Sequence, residues 1–189
     1  MLILASGSPR RHQLLSLITS DFSVIITEAD ESIPPNTSTD GVVTVLAGRK
    51  ADTVFKTHPQ DIIIGADTLV EYEGELLGKP QDAADAARML RQLSGKAHRV
   101  YTGVCVIIAG ERHFICEEST VHFHELSGAE IADYIATGEP MDKAGAYGIQ
   151  EKGSLLVRRI EGDYFNIMGL PVAALYRLLR DYTDIAVFK

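Results

Sequence analysis

The chain has 189 residues, of which 46% are hydrophobic and 23% charged, a composition typical of a globular protein and not of a disordered or fibrous one. Its 26 acidic and 18 basic residues give a net charge of −8, which argues against a broad contact with duplex nucleic acid. A small anionic ligand is not excluded, because a few local cations can dominate the field in one cleft. We expect one domain over residues 1–189, and the length leaves open two lobes around a cleft.

The N-terminal sequence MLILASGSPRR has no basic stretch ahead of its short apolar run, so we do not expect a signal peptide. No segment of the sequence approaches the roughly 20 apolar residues of a membrane span. The two cysteines, Cys105 and Cys116, fit neither a disulfide framework nor a zinc motif, and we expect both to be buried. These features predict a reduced, cytoplasmic protein without membrane contact.

The first third of the chain alternates short strands and helices. Leu2 to Ala5 is an apolar strand, and Ser8-Pro9 predicts the start of a helix, because serine caps a helix and proline fits its first position. Phe22 to Ile26 predicts a second strand, Glu28 to Asp40 a polar loop, and Gly41 to Thr57 a helix.

The rest of the chain contains several hairpin signals. Ile62-Ile63-Ile64 predicts a buried strand that is broken at Gly65 to Thr68, and Glu73-Gly74 predicts a hairpin turn. The other predicted elements are a helix at 81–93, strands at 100–108 and 113–123, a helix after the capping box Ser127-x-x-Glu130, paired strands at 155–160 and 164–168, and a helix from Pro171. Because hairpins pair antiparallel, we predict an α/β fold with a mixed sheet packed by helices.

The segment Ser6 to Arg11 is the first candidate site. A strand that leads through Ser-Gly-Ser into a helix leaves free N–H groups at the helix start, where an anion is favoured. Arg10 and Arg11 add guanidinium groups, which suit bidentate contact with phosphate. The alternative is a well-capped surface helix with solvated arginines.

The second candidate site is Asp67, directly after the triple-isoleucine strand. Its carboxylate could hold Mg²⁺ or take a proton from water, and Thr68 could donate to a ligand. Glu31, in an acidic stretch of the polar loop, could add a carboxylate to a metal site at Asp67. The alternative is a strand-end turn that uses the aspartate locally.

The third candidate is the segment DKAGAYGIQ, residues 142–150. It combines charge, small residues, one aromatic ring and one amide, so it could wrap a ligand with Tyr147 or Gln150 facing a base. The alternative is a plain loop. Lys50 and Lys79 are isolated lysines, and each taken singly is typical of a solvated surface charge.

In chain order, the motifs LASGSPRR, GADTLV, LGKP, LSG, DKAGAYGIQ and MGLPV resemble those of the Maf family of nucleotide pyrophosphatases, across essentially the whole chain. The resemblance implies an α/β fold with an elongated mixed, largely antiparallel sheet and a central cleft, similar to the inosine triphosphate pyrophosphatases. It implies hydrolysis of a nucleoside triphosphate to the monophosphate and pyrophosphate. It also implies a divalent metal cofactor, Mg²⁺ or Mn²⁺.

The same resemblance assigns roles to residues. Asp67 matches the family's proton acceptor, and Glu31 matches an acidic loop position that could bind metal together with Asp67. The substrate-discriminating positions correspond to Arg10, Thr68 and Gln150. The presence of ADT and of YGIQ looks like the subgroup that acts on dTTP and UTP and not on 7-methyl-GTP. The phosphate-binding positions correspond to Ser6, Arg10, Arg11, Lys50 and Lys79.

Two other functions remain open at this point. Family members are linked to restraint of septum formation, so the chain could act as a septum-formation inhibitor through interaction with another protein. It could also be a nucleotide sensor that does not turn over. The chain could form a homodimer in any of these functions.

Overall fold

The computed structural model describes residues 1–26 and 28–184, which form a mixed α/β structure. The strands are β1 (Leu2–Ala5), β2 (Ser23–Val24), β3 (Ile62–Tyr72), β4 (Glu75–Leu77), β5 (Ala97–Ile108), β6 (Glu111–Phe123) and β7 (Val157–Glu161). The α-helices are α1 (Pro9–Leu15), α2 (Thr39–Phe55), α3 (Ala83–Leu93), α4 (Gly128–Ala136), α5 (Tyr164–Met168) and α6 (Val172–Tyr182). Three 3-10 turns, Glu139–Asp142, Ala144–Ala146 and Glu151–Leu156, lie between α4 and β7.

The strands form one sheet in the order β2-β1-β3-β5-β6-β7, with β4 paired to β3. β1 pairs in parallel with β2 and β3, whereas the β3–β4 and β6–β7 pairs are antiparallel. Two-residue turns with positive φ at both positions, Glu73-Gly74 and Ala109-Gly110, close the hairpins β3–β4 and β5–β6. The predicted mixed, largely antiparallel sheet packed by helices is confirmed.

The described residues divide into two compact units. The first unit consists of the described residues of Met1–Asp67, Thr102–Glu117 and Gly169–Lys189. Its core is built between α2 and strands β1, β3 and β5. The side chains of this core are Ile3, Ala5, Ala47, Ala51, Val54, Ile63, Cys105 and Ile107.

The second unit consists of Thr68–Tyr101 and Glu118–Met168. Its larger core brings the apolar faces of α3 and α4 together with the ends of β3, β5 and β6. Asp82 caps α3, since its side chain accepts from the N–H of Asp85 at 2.8 Å. The predicted capping box of α4 is present, because Ser127 and Glu130 bond reciprocally.

The structure corrects several predictions. Residues 65–68 do not interrupt the strand, since β3 runs unbroken from Ile62 to Tyr72 and Asp67 lies inside it. Residues 164–168 form α5 and not a strand, because Asp163 accepts from the N–H of Phe165 at 2.9 Å and starts a helical turn. Cys116 is exposed, whereas Cys105 is buried as predicted.

Other boundaries differ by a few residues. The second strand is only Ser23–Val24, and α2 begins and ends two residues earlier than the predicted helix. β7 pairs with β6 and not with the segment that follows it. Within residues 1–26 and 28–184, no helix is long and apolar enough to cross a membrane.

Candidate active site

The loop between β1 and α1 fixes one arginine. Ser8 caps α1 as predicted, with its side chain accepting from the N–H of Arg11 at 3.5 Å. The Arg11 guanidinium donates through Nε to the carbonyl of Gly169 at 2.8 Å and through Nη1 to Ser6 Oγ at 3.3 Å. Ser6 is nearly buried, and its Oγ also accepts from the N–H of Ser8. The guanidinium is therefore held in one orientation by backbone and hydroxyl oxygens.

Asp67, Lys50 and Glu31 meet in the first unit. Lys50, on α2, donates to Asp67 Oδ1 at 2.5 Å and lies 3.0 Å from Glu31 Oε1. The side chains of Lys50 and Asp67 are only 14% and 12% exposed, whereas that of Glu31 is 70% exposed. A nearly buried carboxylate is thus paired with a nearly buried ammonium group, which is the arrangement that makes such burial tolerable.

Close contact between α2 and β3 sets the distance from Lys50 to Asp67. A Cβ added at Gly65 would lie 2.7 Å from the Ala51 backbone nitrogen and 3.0 Å from its Cβ. Only glycine permits this approach of strand and helix. Asp67 lies two residues further along the strand, and Lys50 precedes Ala51 on the helix.

Arg49, which the sequence analysis did not single out, positions the acidic loop. Its Nη1 donates to the carbonyls of Ser32 at 2.6 Å and Asp30 at 3.1 Å. Glu31 lies between these two loop residues. On α2, Arg49 therefore holds the loop backbone, and the adjacent Lys50 contacts the Glu31 carboxylate. An arginine followed by a lysine on a helix does not indicate that the arginine binds a loop backbone, since the loop lies 17 to 19 residues away in the sequence.

Arg11 belongs to the same electrostatic environment. Burial lowers the pKa of the Arg11 guanidinium, and the charges of Asp67 and Glu31 act in the opposite direction. The half-buried Arg10 also lowers the pKa of Arg11. We refer to Arg11, Glu31, Lys50 and Asp67 as the charged cluster. Lys50 contacts both carboxylates and Arg11 lies within their field, so the cluster offers both cationic groups that can bind phosphate and a carboxylate that can accept a proton.

The donor set is compatible with a divalent metal. Asp67 and Glu31 converge on the single ammonium of Lys50, so both carboxylates face one cationic position. In residues 1–26 and 28–184 no group of three or more His, Cys, Asp or Glu side chains is placed to hold a metal ion. The two carboxylates of Asp67 and Glu31 fit Mg²⁺ or Mn²⁺, because Mg²⁺ is often bound by one or two carboxylates with substrate phosphates completing its shell.

The other predicted site residues lie in the second unit. Thr68 is half-buried in β3, directly after Asp67, and Lys79 is exposed between β4 and α3. Gln150 is half-buried ahead of the 3-10 turn Glu151–Leu156. The backbone N–H of Gly145 donates to the carbonyl of Gly78 at 3.0 Å, so the segment with Gln150 is tied to the turn with Lys79.

A comparison of folds gives the structural class. The solved structure of the Staphylococcus aureus Ham1 protein is similar, with a TM-score of 0.53 over 96% of this chain and 99% of that chain. The sequence identity is 14%, so the likeness concerns the fold alone. The chain therefore has the α/β architecture of that protein.

Sequence comparison gives the family. The profile of the family described as Maf-like protein matches residues 1–182, and the chain belongs to this family. It is 49% identical to a dTTP/UTP pyrophosphatase of Bacillus cytotoxicus, over 95% of this chain and 94% of that protein. It is 50% identical to a dTTP/UTP pyrophosphatase of a Geobacillus species, over 93% of this chain and 95% of that protein. The resemblance stated from the motifs is confirmed.

Proposed function

We propose that this chain is a nucleoside triphosphate pyrophosphatase that hydrolyses dTTP and UTP to the monophosphate and pyrophosphate. The observation that carries the proposal is the 2.5 Å contact of Lys50 with Asp67 inside the charged cluster. It combines a proton acceptor with groups that bind phosphate. The names of relatives that share about half of their residues with this chain support the same activity.

Arg11, Lys50 and Ser6 bind the triphosphate in this proposal. The guanidinium of Arg11 is already oriented by Gly169 and Ser6, so little conformational entropy is lost when a phosphate binds. A fixed guanidinium and a partly enclosed ammonium stabilise negative charge more strongly than solvated side chains do. These local cations allow an acidic protein to hold a polyanion.

Asp67 acts as the general base. Lys50 donates to Oδ1 and orients the carboxylate, whose Oδ2 accepts a proton from water. The water oxygen forms a bond to the α-phosphorus as the bond from that phosphorus to the α–β bridging oxygen breaks. Pyrophosphate leaves with the electron pair of the broken bond, and the proton passes to Asp67.

Asp67 and Glu31 would hold Mg²⁺ or Mn²⁺ together with phosphate oxygens of the substrate. When bound, the ion would neutralise negative charge on the phosphate groups of the substrate. Lys50 contacts both carboxylates, so it keeps them close together before a metal–nucleotide complex binds.

Thr68 and Gln150 select the base in this proposal. An amide can present a donor and an acceptor together to the O4 and N3 edge of uracil or thymine. CTP carries an amino group at this edge, so groups fixed for uracil would be left unpaired. Buried unpaired groups give discrimination of up to about 10⁴-fold in favourable cases.

A nucleotide panel tests the proposal. Pyrophosphate release is measured for dTTP, UTP, CTP, GTP, ATP and 7-methyl-GTP with Mg²⁺ or Mn²⁺, and dTTP and UTP should give the highest kcat/KM. Fastest turnover of 7-methyl-GTP or a purine triphosphate would contradict the base assignment. Absence of pyrophosphate release from every nucleotide would contradict the activity and favour a sensor or an interaction protein.

Asp67→Asn tests the role of the base. The amide keeps the shape of the side chain but accepts no proton, so kcat should fall by about 10²- to 10⁴-fold while UTP still binds in calorimetry. Asp61→Asn is the matched control, because Asp61 also pairs with an ammonium, the N-terminal amine at 2.9 Å. Near-native turnover by Asp67→Asn would show that another group is the base.

A further inference from the structure

Gln150 lies in a short arch, residues 148–153, whose two ends lie side by side. A Cβ added to Gly153 would lie 2.6 Å from Tyr134 Oη and 3.0 Å from the backbone nitrogen of Gly148. A Cβ added to Gly148 would lie 2.8 Å from the side chain of Lys143. The ends of the arch therefore approach each other as closely as glycine permits, which brings the chain back on itself around Gln150.

A chain of hydrogen bonds joins the two ends. Tyr134 Oη accepts from the N–H of Gly148 at 3.1 Å and donates to Glu139 Oε1 at 2.9 Å. The same Glu139 oxygen accepts from the N–H of Gly153 at 3.0 Å, and Oε2 accepts from the N–H of Lys152 at 3.2 Å. One hydroxyl and one carboxylate thus hold both ends of the arch.

The backbone of this region adopts conformations that need such support. Ala146, just before the arch, has φ of +59°, and Glu151, directly after Gln150, has φ of +54°. Left-handed backbone at residues with a Cβ persists where the surrounding structure fixes it, and it is typical of ligand-binding segments. The strained position at Glu151 lies between Gln150 and the contacts made by Glu139.

The surroundings of Tyr134 suit it to this role. It lies on α4, packs in the core of the second unit and is 5% exposed. Burial raises the pKa of the Tyr134 phenol, so the hydroxyl stays protonated and can donate to Glu139. Tyr147, one residue before the arch, is anchored separately through a 2.7 Å hydrogen bond with the ring of His98.

We propose that Tyr134 and Glu139 are positioning residues that determine base selectivity by holding the arch, and with it the Gln150 amide, in one conformation. The inference rests on the proposed function, in which Gln150 reads the base edge. A preorganised amide loses little entropy when uracil binds and leaves its groups unpaired when cytosine enters. An arch with many conformations can adapt to either base and so distinguishes them less.

Tyr134→Phe is the direct test, because it removes only the hydroxyl that links Gly148 to Glu139. The ratio of kcat/KM for UTP to that for CTP should fall by about tenfold, the scale of one buried hydrogen bond. The fall should come from a higher KM for UTP, with kcat changed by less than about twofold, since Asp67 is untouched. A merely structural role would lower the rates for UTP and CTP equally and leave their ratio unchanged.

Tyr72→Phe is the matched control. Tyr72 is also a buried tyrosine of the second unit, 7% exposed, whose hydroxyl donates to a glutamate, Glu73, at 2.8 Å. It lies in the β3–β4 hairpin, and in the described residues its hydroxyl makes no bond to the arch. The ratio should be unchanged in this variant, and a fall equal to that of Tyr134→Phe would overturn the proposal.

A double-variant cycle shows whether Tyr134 acts through Gln150. With Gln150→Ala the amide is gone, so adding Tyr134→Phe should change the UTP to CTP ratio no further. Additive losses would show that Tyr134 acts by another route and would overturn the proposal. Tyr134→Phe should also increase amide hydrogen exchange at Gly148 and Gly153 relative to wild type, and unchanged exchange at both would likewise overturn it.

The measurements separate this inference from the proposed function. If wild type releases no pyrophosphate, the ratio is measured from UTP and CTP affinities in calorimetry. If wild type neither releases pyrophosphate nor binds UTP, both the proposed function and the selectivity role are overturned. This holds even if hydrogen exchange shows that Tyr134 stabilises the arch. Normal UTP turnover with an unchanged ratio in Tyr134→Phe would overturn the inference alone.

Discussion

Arg11 is held by two residues that lie far apart in the sequence. Arg11 is bonded to the Gly169 carbonyl and to Ser6 Oγ and lies in the field of two carboxylates. The motif SPRR marks Arg10 and Arg11 as phosphate-binding candidates, but it does not show the contact of Arg11 with Gly169, which is 158 residues away in the chain. In the proposed function, the Arg11 guanidinium therefore meets a phosphate in one fixed orientation.

Arg11→Lys tests this role of Arg11. Lysine keeps the charge but lacks the planar fork, so it cannot hold Gly169 and Ser6 while also donating to phosphate. KM for UTP should rise about ten- to a hundredfold, the scale of one hydrogen bond to a charged group. Steady-state kinetics measures the change, with Arg91→Lys on the exposed face of α3 as the matched control. An unchanged KM for UTP in Arg11→Lys would mean that the Arg11 guanidinium does not bind the phosphates.

The motifs and the family resemblance identify all four members of the charged cluster as candidates, together with Ser6 beside Arg11. The sequence does not show which of these residues contact one another, because they come from α1, α2, β3 and two loops. Arg49 was missed for the same reason. Its role depends on backbone carbonyls, which any sequence provides.

At the scale of elements, the contact of β3 with α2 matters most for the site. Gly65 on β3 and Gly103 on β5 both face the backbone of α2, and a Cβ at Gly103 would lie 2.8 Å from the nitrogen of Thr44. The helix thus lies directly on the sheet at two glycines, which brings Lys50 to Asp67. The sequence shows a glycine after the triple isoleucine, but it does not show that α2 approaches the strand there.

Gly65→Ala should lower both stability and turnover. The new methyl group would push α2 away from β3, with a loss of about 1–3 kcal/mol in the free energy of unfolding. A displacement of about 1 Å between Lys50 and Asp67 can cost about 10² in rate. Urea unfolding and kcat measure the two effects.

Gly128→Ala is the control for Gly65→Ala. Gly128 is the first residue of α4, and a Cβ there would have no atom within 4 Å. Alanine there should leave kcat unchanged and should not reduce stability. A Gly65→Ala variant with native stability and kcat would mean that strand and helix can separate without affecting the site.

Two elements show why local pattern misled the prediction. The strand β3 was expected to break at Gly65 to Thr68 because glycine and aspartate are typical of turns, but pairing with β1 up to Gly65 keeps the chain extended. The run Tyr164 to Met168 has apolar residues suited to strand or helix. Its helical form follows from the Asp163 cap and from buried Asn166, which donates to Val100 and Ser119. Long-range pairing with β1 decided the first outcome, and a local cap together with the long-range bonds of Asn166 decided the second.

At the scale of the whole molecule, one buried histidine affects stability. His98 is 2% exposed, and its Nδ1 has no hydrogen-bond partner in the part of the chain that the structure describes. Burial lowers the pKa of His98 from 6.5 to about 3, with a smaller effect from the charge of His122. The folded protein therefore keeps this imidazole neutral, whereas the unfolded chain protonates it below about pH 6.5.

This difference makes the protein less stable in acid. The unfolded state binds more protons between pH 6.5 and about 3, so the free energy of unfolding falls as the pH drops through that range. From pH 7 to pH 5 the contribution of His98 is about 2 kcal/mol. In His98→Gln, urea unfolding should show that the free energy of unfolding falls less between pH 7 and pH 5, by about this amount. An equal fall in wild type and variant would mean that His98 titrates normally in the folded protein.

β2 and β7 are the two ends of the strand order. Both edge strands disfavour pairing with a strand of another molecule. β2 has two residues, too few to template a new strand. β7 has five residues and carries the exposed charges of Arg158, Arg159 and Glu161, so an added strand would have to strip water from them. Partly unfolded or highly concentrated protein should therefore resist growth into fibrils from these edges, and replacing the charges of β7 with valine or threonine would create an aggregation site.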